Sequence, residues 1–301
     1  MKVLNFGSLN IDCVYGVDHF VKKGETISSN SLNIFSGGKG LNQSIALAKA
    51  GIEVYHAGAI GIDGIFLEES LKNNGINTRY IKRFENICTG NAIIQNDVYG
   101  DNCILLYGGA NQSIDREFID SVLADFGSED WLILQNEISE IPYIVDNAHS
   151  KGMKIVLNPS PMDEKIFKIN LDYIDCLVMN EIEARSLIKE KYLNIDDLTL
   201  KLGRKFPDKE IVLTLGEEGA VYIYGKKKLL QSAYKVRVVD TTAAGDTFTG
   251  YFIAARLQNK SIKECMEMAT RASAIAVSKK GASPSIPTIE MVQNFRIEKY
   301  I

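Results

Sequence analysis

Short apolar runs of strand length alternate with stretches of helical periodicity along this chain. That alternation restricts it to a parallel sheet crossed by helices. Val3 to Phe6, Val54 to Ala57, Trp131 to Leu134, Lys154 to Leu157, Cys176 to Met179 and Ile211 to Leu215 read as central strands. Asn42 to Ala50 and Ile65 to Asn73 read as helices among the segments between them. No linker rich in Pro, Gly or Ser divides the sequence, so residues 1–301 read as a single α/β domain. Two regions break the alternation. Ile11 to Phe35 and Asn91 to Tyr107 carry β-type patterns with no helix between, and the second reads as a hairpin turning at Tyr99-Gly100-Asp101-Asn102.

The charge balance narrows the partners. Net charge is −4, and no basic block stands out beyond Lys226 to Lys228, which reads as an exposed hairpin turn after Gly225. That excludes a nucleic-acid partner. Cys13, Cys88, Cys103, Cys176 and Cys265 are odd in number and scattered, so neither a disulfide framework nor a structural zinc site fits. His19, His56 and His149 lack metal-type spacing, and Trp131 reads as core or strand edge. The chain starts directly into a strand and has no stretch of membrane-spanning length, so a cytoplasmic protein without a membrane partner is expected.

The segment that speaks most of chemistry is Asp240-Thr-Thr-Ala-Ala-Gly-Asp246, between the valine-rich run Val236 to Val239 and an apolar-striped helix with Phe248, Phe252 and Ala255. Small residues at a helix start leave the N–H groups of Ala244, Gly245 and Asp246 open to an anion, with the helix dipole behind them. A carboxylate beside such a nest can accept a proton from an attacking hydroxyl. Taken alone, the same residues also fit an N-cap Asp with a Gly-containing turn.

With Thr247-Phe248-Thr249-Gly250 appended, this segment resembles the C-terminal signature of the ribokinase family, the PfkB-type carbohydrate kinases. Gly37-Gly38-Lys39-Gly40-Leu41-Asn42-Gln43 resembles the family's upstream element, and the resemblance extends over nearly the whole chain. It implies a three-layer α/β/α sandwich with a mostly parallel central sheet. A small β-sheet lid would be formed by about 11–35 and 91–107 and would pair subunits into a homodimer. It further implies Asp246 as catalytic base, with the amides of Ala243, Ala244 and Gly245 as the anion hole. Tyr251 departs from the small residue usual there, which should alter helix packing and not the chemistry.

Asn10 and Asp12 follow the first strand, where open α/β sheets bind ligands. Alone they are ordinary turn formers. The resemblance makes them sugar ligands, together with Gly38, Lys39, Asn42 and Glu137. The glycines are not a Walker A loop, whose spacing is absent. Asn91 stands where ribokinases are usually apolar and is expected to add a hydrogen bond to the substrate.

Asn180 and Glu183 are three apart at a helix start, which by itself describes a capping box. In the family this Asn-x-x-Glu pair organises the phosphates and the water shell of Mg²⁺. Thr214, Gly216 and Gly219 read locally as a turn, and with Thr270 they match positions lining the nucleotide site. Gly281 and Pro284 are helix-stop signals. The resemblance adds a monovalent-cation site, usually K⁺, at Asp240, Thr242, Ala276, Lys279, Gly281 and Ser285.

The implied reaction moves the γ-phosphoryl group of ATP to a primary hydroxyl of a small sugar, O5 of D-ribose above all. Tyr107-Gly108-Gly109-Ala110-Asn111 also matches a ribokinase segment. The rivals are kinases of 2-deoxyribose, fructose or nucleosides, pseudouridine among them. A catalytically silent sugar or nucleotide sensor on the same fold is a rival of another class. A dinucleotide-dependent oxidoreductase lacks its Gly-x-Gly-x-x-Gly fingerprint.

Overall fold

Parallel strands need helical crossovers, and here the crossovers cover both faces of one large sheet. The structure is a computed structural model and describes residues 1–99 and 101–300. Gly100 of the expected hairpin turn lies outside the described residues. The strands are β1 (Val3–Phe6), β2 (Asn10–Gly16), β3 (Ser31–Gly37), β4 (Val54–Gly61), β5 (Asn77–Phe84), β6 (Gly90–Asn96), β7 (Asn102–Tyr107), β8 (Trp131–Gln135), β9 (Lys154–Asn158), β10 (Cys176–Asn180), β11 (Glu210–Thr214), β12 (Ala220–Tyr224) and β13 (Lys227–Gln231). The helices are α1 (Lys39–Lys49), α2 (Ile65–Asn73), α3 (Arg116–Leu123), α4 (Ile141–Ser150), α5 (Glu181–Ile188), α6 (Ile195–Lys205), α7 (Ala244–Leu257), α8 (Ile262–Val277) and α9 (Ile289–Gln293).

The large sheet has nine strands in the order β13-β12-β11-β10-β9-β8-β1-β4-β5. All neighbours pair in parallel except β11–β12 and β12–β13, which are antiparallel. Side chains alternate between two apolar layers, as the period of a strand requires. Val3 and Ile133 join the layer under α1, α7 and α8. Leu4, Phe6, Leu132 and Leu134 join the layer under α3 to α6. This is the α/β sandwich expected from the sequence. No helix among the described residues is long and apolar enough to cross a membrane.

A second sheet, ordered β3-β2-β6-β7, stands off the first. Its register sorts the side chains into two faces. Phe35, Asp12, Ala92 and Leu106 form one cross-strand row, and Ser36, Ile11, Asn91 and Tyr107 the adjacent row on the opposite face.

Several boundaries differ from expectation. Helix α1 begins at Lys39 and not Asn42, because Gly40 lets the helix start pack directly on Gly7 and Ser8. Strand β4 runs on to Gly61, and β11 stops at Thr214, short of Leu215. Lys227 and Lys228 lie in β13, leaving only Lys226 in the turn, and Lys228 pairs with Asp196 at 2.8 Å. The valine-rich run Val236 to Val239 forms neither strand nor helix. Tyr251 is fully buried in α7 and donates its hydroxyl to the Pro287 carbonyl at 2.7 Å, a packing role.

Candidate active site

The carboxyl ends of β1, β8, β9, β10 and β11 meet at one edge of the large sheet, where α/β folds bind ligands. Ser8 to Asn10, Glu137, Asn158, Asn180 and Thr214 lie at those ends. The second sheet overhangs the same edge through β2.

Gly38 caps α1 at φ 95°, a backbone state that disfavours any side chain, and so turns the chain from β3 into the helix. The backbone N–H of Lys39 then donates to Glu137 Oε2 at 3.0 Å, and the Ser8 hydroxyl binds the same oxygen. Asn10 Oδ1 accepts from Asn111 Nδ2 at 2.8 Å, while Asn111 also exchanges bonds with the Leu9 backbone. Asp12, Glu137, Asp246 and Lys39 stand close enough for each to feel the charge of others in the group. Burial, then Glu137 and Asp246, push the Asp12 carboxyl up to about 7. Burial likewise raises Glu137, against the opposing pull of Lys39 and Ser8. Burial disfavours the Lys39 charge, yet Asp246, Glu137, Glu183 and Asp12 around it hold its pKa above the ordinary value. Lys39 is therefore a charged ammonium among carboxylates.

Asp246 stands in the first turn of α7 and is 9% exposed. Asn42 Nδ2 donates to its Oδ2 at 3.0 Å and Gln43 Nε2 to its Oδ1 at 3.0 Å, so each oxygen is held by one amide. Ala243 caps the helix in the left-handed region at φ 59°, which bends the chain so that the following amides face outward. Not all of them are open. The N–H of Ala244 donates to the Thr241 carbonyl at 3.2 Å, a correction to the expected anion hole. The N–H groups of Ala243, Gly245 and Asp246 make no hydrogen bond within the described residues. An open set of backbone donors at a helix start suits phosphate oxygens.

Two cavities meet here. A polar one of about 210 Å³ is lined by Lys39, Asn158, Asn180, Glu183, Gly245 and Asp246 among others. A larger, mainly apolar one of about 960 Å³ is lined by Thr214, Gly216, Gly219, Tyr234, Phe248 and Thr270 among others. Thr214, Thr241 and Gly245 line both, so the two are continuous. Asn180 and Glu183 do form a capping box: Asn180 accepts from the Glu183 N–H and Glu183 Oε2 from the Asn180 N–H, both at 2.9 Å. Glu183 Oε1 has no hydrogen-bond partner among the described residues. The pair is at once a helix cap and a cavity wall.

At the end of α8, Asp240 Oδ1 accepts from the Thr242 N–H at 2.9 Å and its hydroxyl at 2.6 Å, and Oδ2 from the Gly281 N–H at 2.9 Å. Burial would raise this carboxyl, but those donors hold it below the usual range. The Ala276 carbonyl accepts from the Lys279 N–H, and the buried Ser285 hydroxyl donates to Ala282. Asp240, Thr242 and Gly281 are brought together, while Ala276, Lys279 and Ser285 flank them along the same strap. These residues bring one carboxylate and neither His nor Cys, an oxygen chemistry that would suit a monovalent cation better than a transition metal. No cluster of three His, Cys, Asp or Glu side chains capable of holding a metal occurs among the described residues.

Asn91 departs from expectation. Its row faces away from Asp12, and its amide donates at 3.5 Å to Thr89. Ala92 occupies the Asp12 face instead. Sequence reasoning also gave no role to Ser8, Gln43, Asn158 or Gln135, or to the irregular wall Ala233 to Val236. Gln43 alone carried a signal, as the last residue of the glycine-rich element.

Comparison with known proteins agrees with this geometry. The model of the pfkB family carbohydrate kinases matches residues 1–289. The chain is 35% identical over 296 residues to a ribokinase of Haemophilus influenzae, covering 96% of each. The solved Arabidopsis thaliana ribokinase complexed with ribose and ATP superposes with a TM-score of 0.87 at 29% identity, covering 98% of this chain and 99% of that one. The ribokinase of Cryptococcus neoformans in complex with ADP gives 0.84 at 33% identity, covering 97% and 98%. An open amide nest, a buried carboxylate beside it and this likeness over the full length lead to one conclusion: the chain belongs to the pfkB family and is an ATP-dependent carbohydrate kinase.

Proposed function

We propose that this chain is a ribokinase that transfers the γ-phosphoryl group of ATP to O5 of D-ribose, giving D-ribose 5-phosphate and ADP. The observation that carries the reading is the position of Asp246. It lines the polar cavity with Lys39 and the open Gly245 amide, and its charge is felt by Asp12 and Glu137, the expected sugar ligands. One carboxylate therefore borders both the acceptor alcohol and the donor phosphate.

In this reading Asn10, Asp12, Gly38, Lys39, Asn42 and Glu137 bind the sugar. Ionised Asp12 can accept two hydroxyls at once. Asp246 takes the proton from the O5 hydroxyl as the oxygen attacks phosphorus, and the bond from phosphorus to the β,γ-bridging oxygen breaks. The open amides of Ala243 and Gly245 donate to the oxygens of the transferring group. The apolar cavity at Thr214, Gly216, Gly219 and Thr270 takes the adenine end of ATP, and its volume suits that ligand. Asn180 and Glu183, whose Oε1 is unbonded among the described residues, would hold the water shell of Mg²⁺, which neutralises phosphate charge when bound. The strap of Asp240, Thr242, Ala276, Lys279, Gly281 and Ser285 would hold K⁺, which adds positive potential beside the nest.

The second sheet acts as a lid that excludes water from the transfer. Its face opposite Asp12 carries Leu32, Ile34, Ile93, Leu105 and Tyr107, all exposed. An apolar sheet face of this kind supports pairing of two lids in a homodimer. The test is an assay of ADP release over a panel of pentoses, hexoses and nucleosides, with product mapping. D-Ribose should give the highest kcat/KM and a 5-phosphate. A higher value for 2-deoxyribose, fructose or a nucleoside reassigns the substrate, and ligand binding without ADP release supports a sensor.

A further inference from the structure

Three neighbouring strands each turn one buried polar side chain toward α1: Asn5 on β1, His56 on β4 and Gln135 on β8. Polar groups under a helix are costly unless they are bonded to one another. Here they form a chain that ends at the base. Gln135 Nε2 donates to Asn5 Oδ1 at 3.0 Å and to Gln43 Oε1 at 2.7 Å. Gln43 Nε2 donates in turn to Asp246 Oδ1 at 3.0 Å. At the far end Asn5 Nδ2 donates to Ser44 Oγ at 2.8 Å, which pairs with His56 Nδ1 at 2.8 Å. Burial pushes His56 down to about 3, so the chain ends in a neutral ring.

The order of donors matters. An isolated amide can present either its N–H or its oxygen to a neighbour. The oxygen of Gln43 is already taken by Gln135, so only N–H remains to face Asp246. A single Asn42 bond would leave the carboxylate free to rotate about its own axis, whereas a second donor on the other oxygen fixes its plane.

We infer that Gln43 is a positioning residue for Asp246, oriented by Gln135, and that it fixes the plane in which the carboxylate meets the acceptor hydroxyl. The inference rests on the kinase reading above. Asp246 lies among Lys39 of α1, Asp12 of β2 and Glu137 after β8, the charged groups that face it.

Three variants test it in the full chain with ATP and the best sugar of the panel. Gln43→Met keeps volume and removes donor and acceptor. Its kcat should fall about 10- to 100-fold, the range expected when a reacting group is misplaced, with KM for ATP little changed. Gln43→Glu sets a second carboxyl against Asp246, and the acid limb of its kcat profile should move up by about one pH unit or more. A glutamine that only fills space would leave that limb where it is. Gln135→Met leaves Gln43 in place but frees its amide, and should lower kcat by a smaller factor. It also decides the matter if Gln43→Met does not fold. Normal kcat in the folded methionine variants with an unmoved limb in Gln43→Glu overturns the inference alone. A wild-type chain that releases no ADP with any acceptor removes the kinase reading, and the inference falls with it.

Discussion

Asp12 lies against Gly37 so closely that a Cβ at position 37 would stand 2.1 Å from Asp12 Oδ2. Gly37 pairs with Asn10, two registers along β2 from Asp12 on the same face of the sheet, and its missing side chain makes the room that the carboxylate occupies. Gly37→Ala should therefore displace Asp12 and raise KM for the sugar at least about tenfold, with KM for ATP little changed. Steady-state kinetics with each substrate varied in turn checks this. Equal KM values for both substrates in variant and wild type would contradict it.

The Asp12 carboxyl, pushed up to about 7 from 3.8, makes a second prediction with a definite sign. A group that holds its proton more tightly in the folded chain favours folding while protonated. That contribution is complete below about pH 4 and is lost as pH rises toward 7. Asp12→Asn should thus be more stable than wild type at pH 8, by an amount on the order of a few kcal/mol at most, and nearly equal at pH 4. Denaturant melts at the two pH values measure it. The same ionisation should strengthen sugar binding to the wild-type chain as pH rises through 7.

Tyr251 reports on packing alone. Tyr251→Phe removes the donor to the Pro287 carbonyl and leaves a buried acceptor unpaired. A loss of about 1–2 kcal/mol in stability with unchanged kcat is expected. A drop in kcat without a change in melting would give the residue a part in the chemistry.

The strap at Asp240 predicts dependence on a monovalent cation. Asp240→Asn and removal of K⁺ should each lower kcat, and in the variant the response to K⁺ should disappear. Equal rates with and without K⁺ in wild type would remove this site from the account.

Much of this was legible in the sequence because the buried parallel strands are apolar on both faces apart from Asn5, His56 and Gln135, and their ends carry the functional residues. Strand β1 and helix α2 have the bounds that periodicity gives. Strand β5 was not legible, since Arg79, Lys82 and Arg83 interrupt its apolar pattern on an edge that is only half-buried. The start of α1 was hidden because Gly38 to Gly40 look like a loop until Ser8 is seen packed beneath them. The Gln135–Gln43–Asp246 relay could not be read at all. Its members are separated by 92 and 203 positions, and the place of Gln43 in the glycine-rich element does not say what it bonds to. Asn91 failed for a related reason: which face a β residue takes depends on the register with its neighbours, a tertiary property.

The central claim is that Asp246 accepts the proton of the sugar hydroxyl. Turnover of folded Asp246→Asn with ATP and D-ribose tests it most directly. The account predicts that both substrates still bind while kcat falls by roughly 10²–10⁴-fold. A folded Asp246→Asn enzyme with turnover near that of wild type would contradict it.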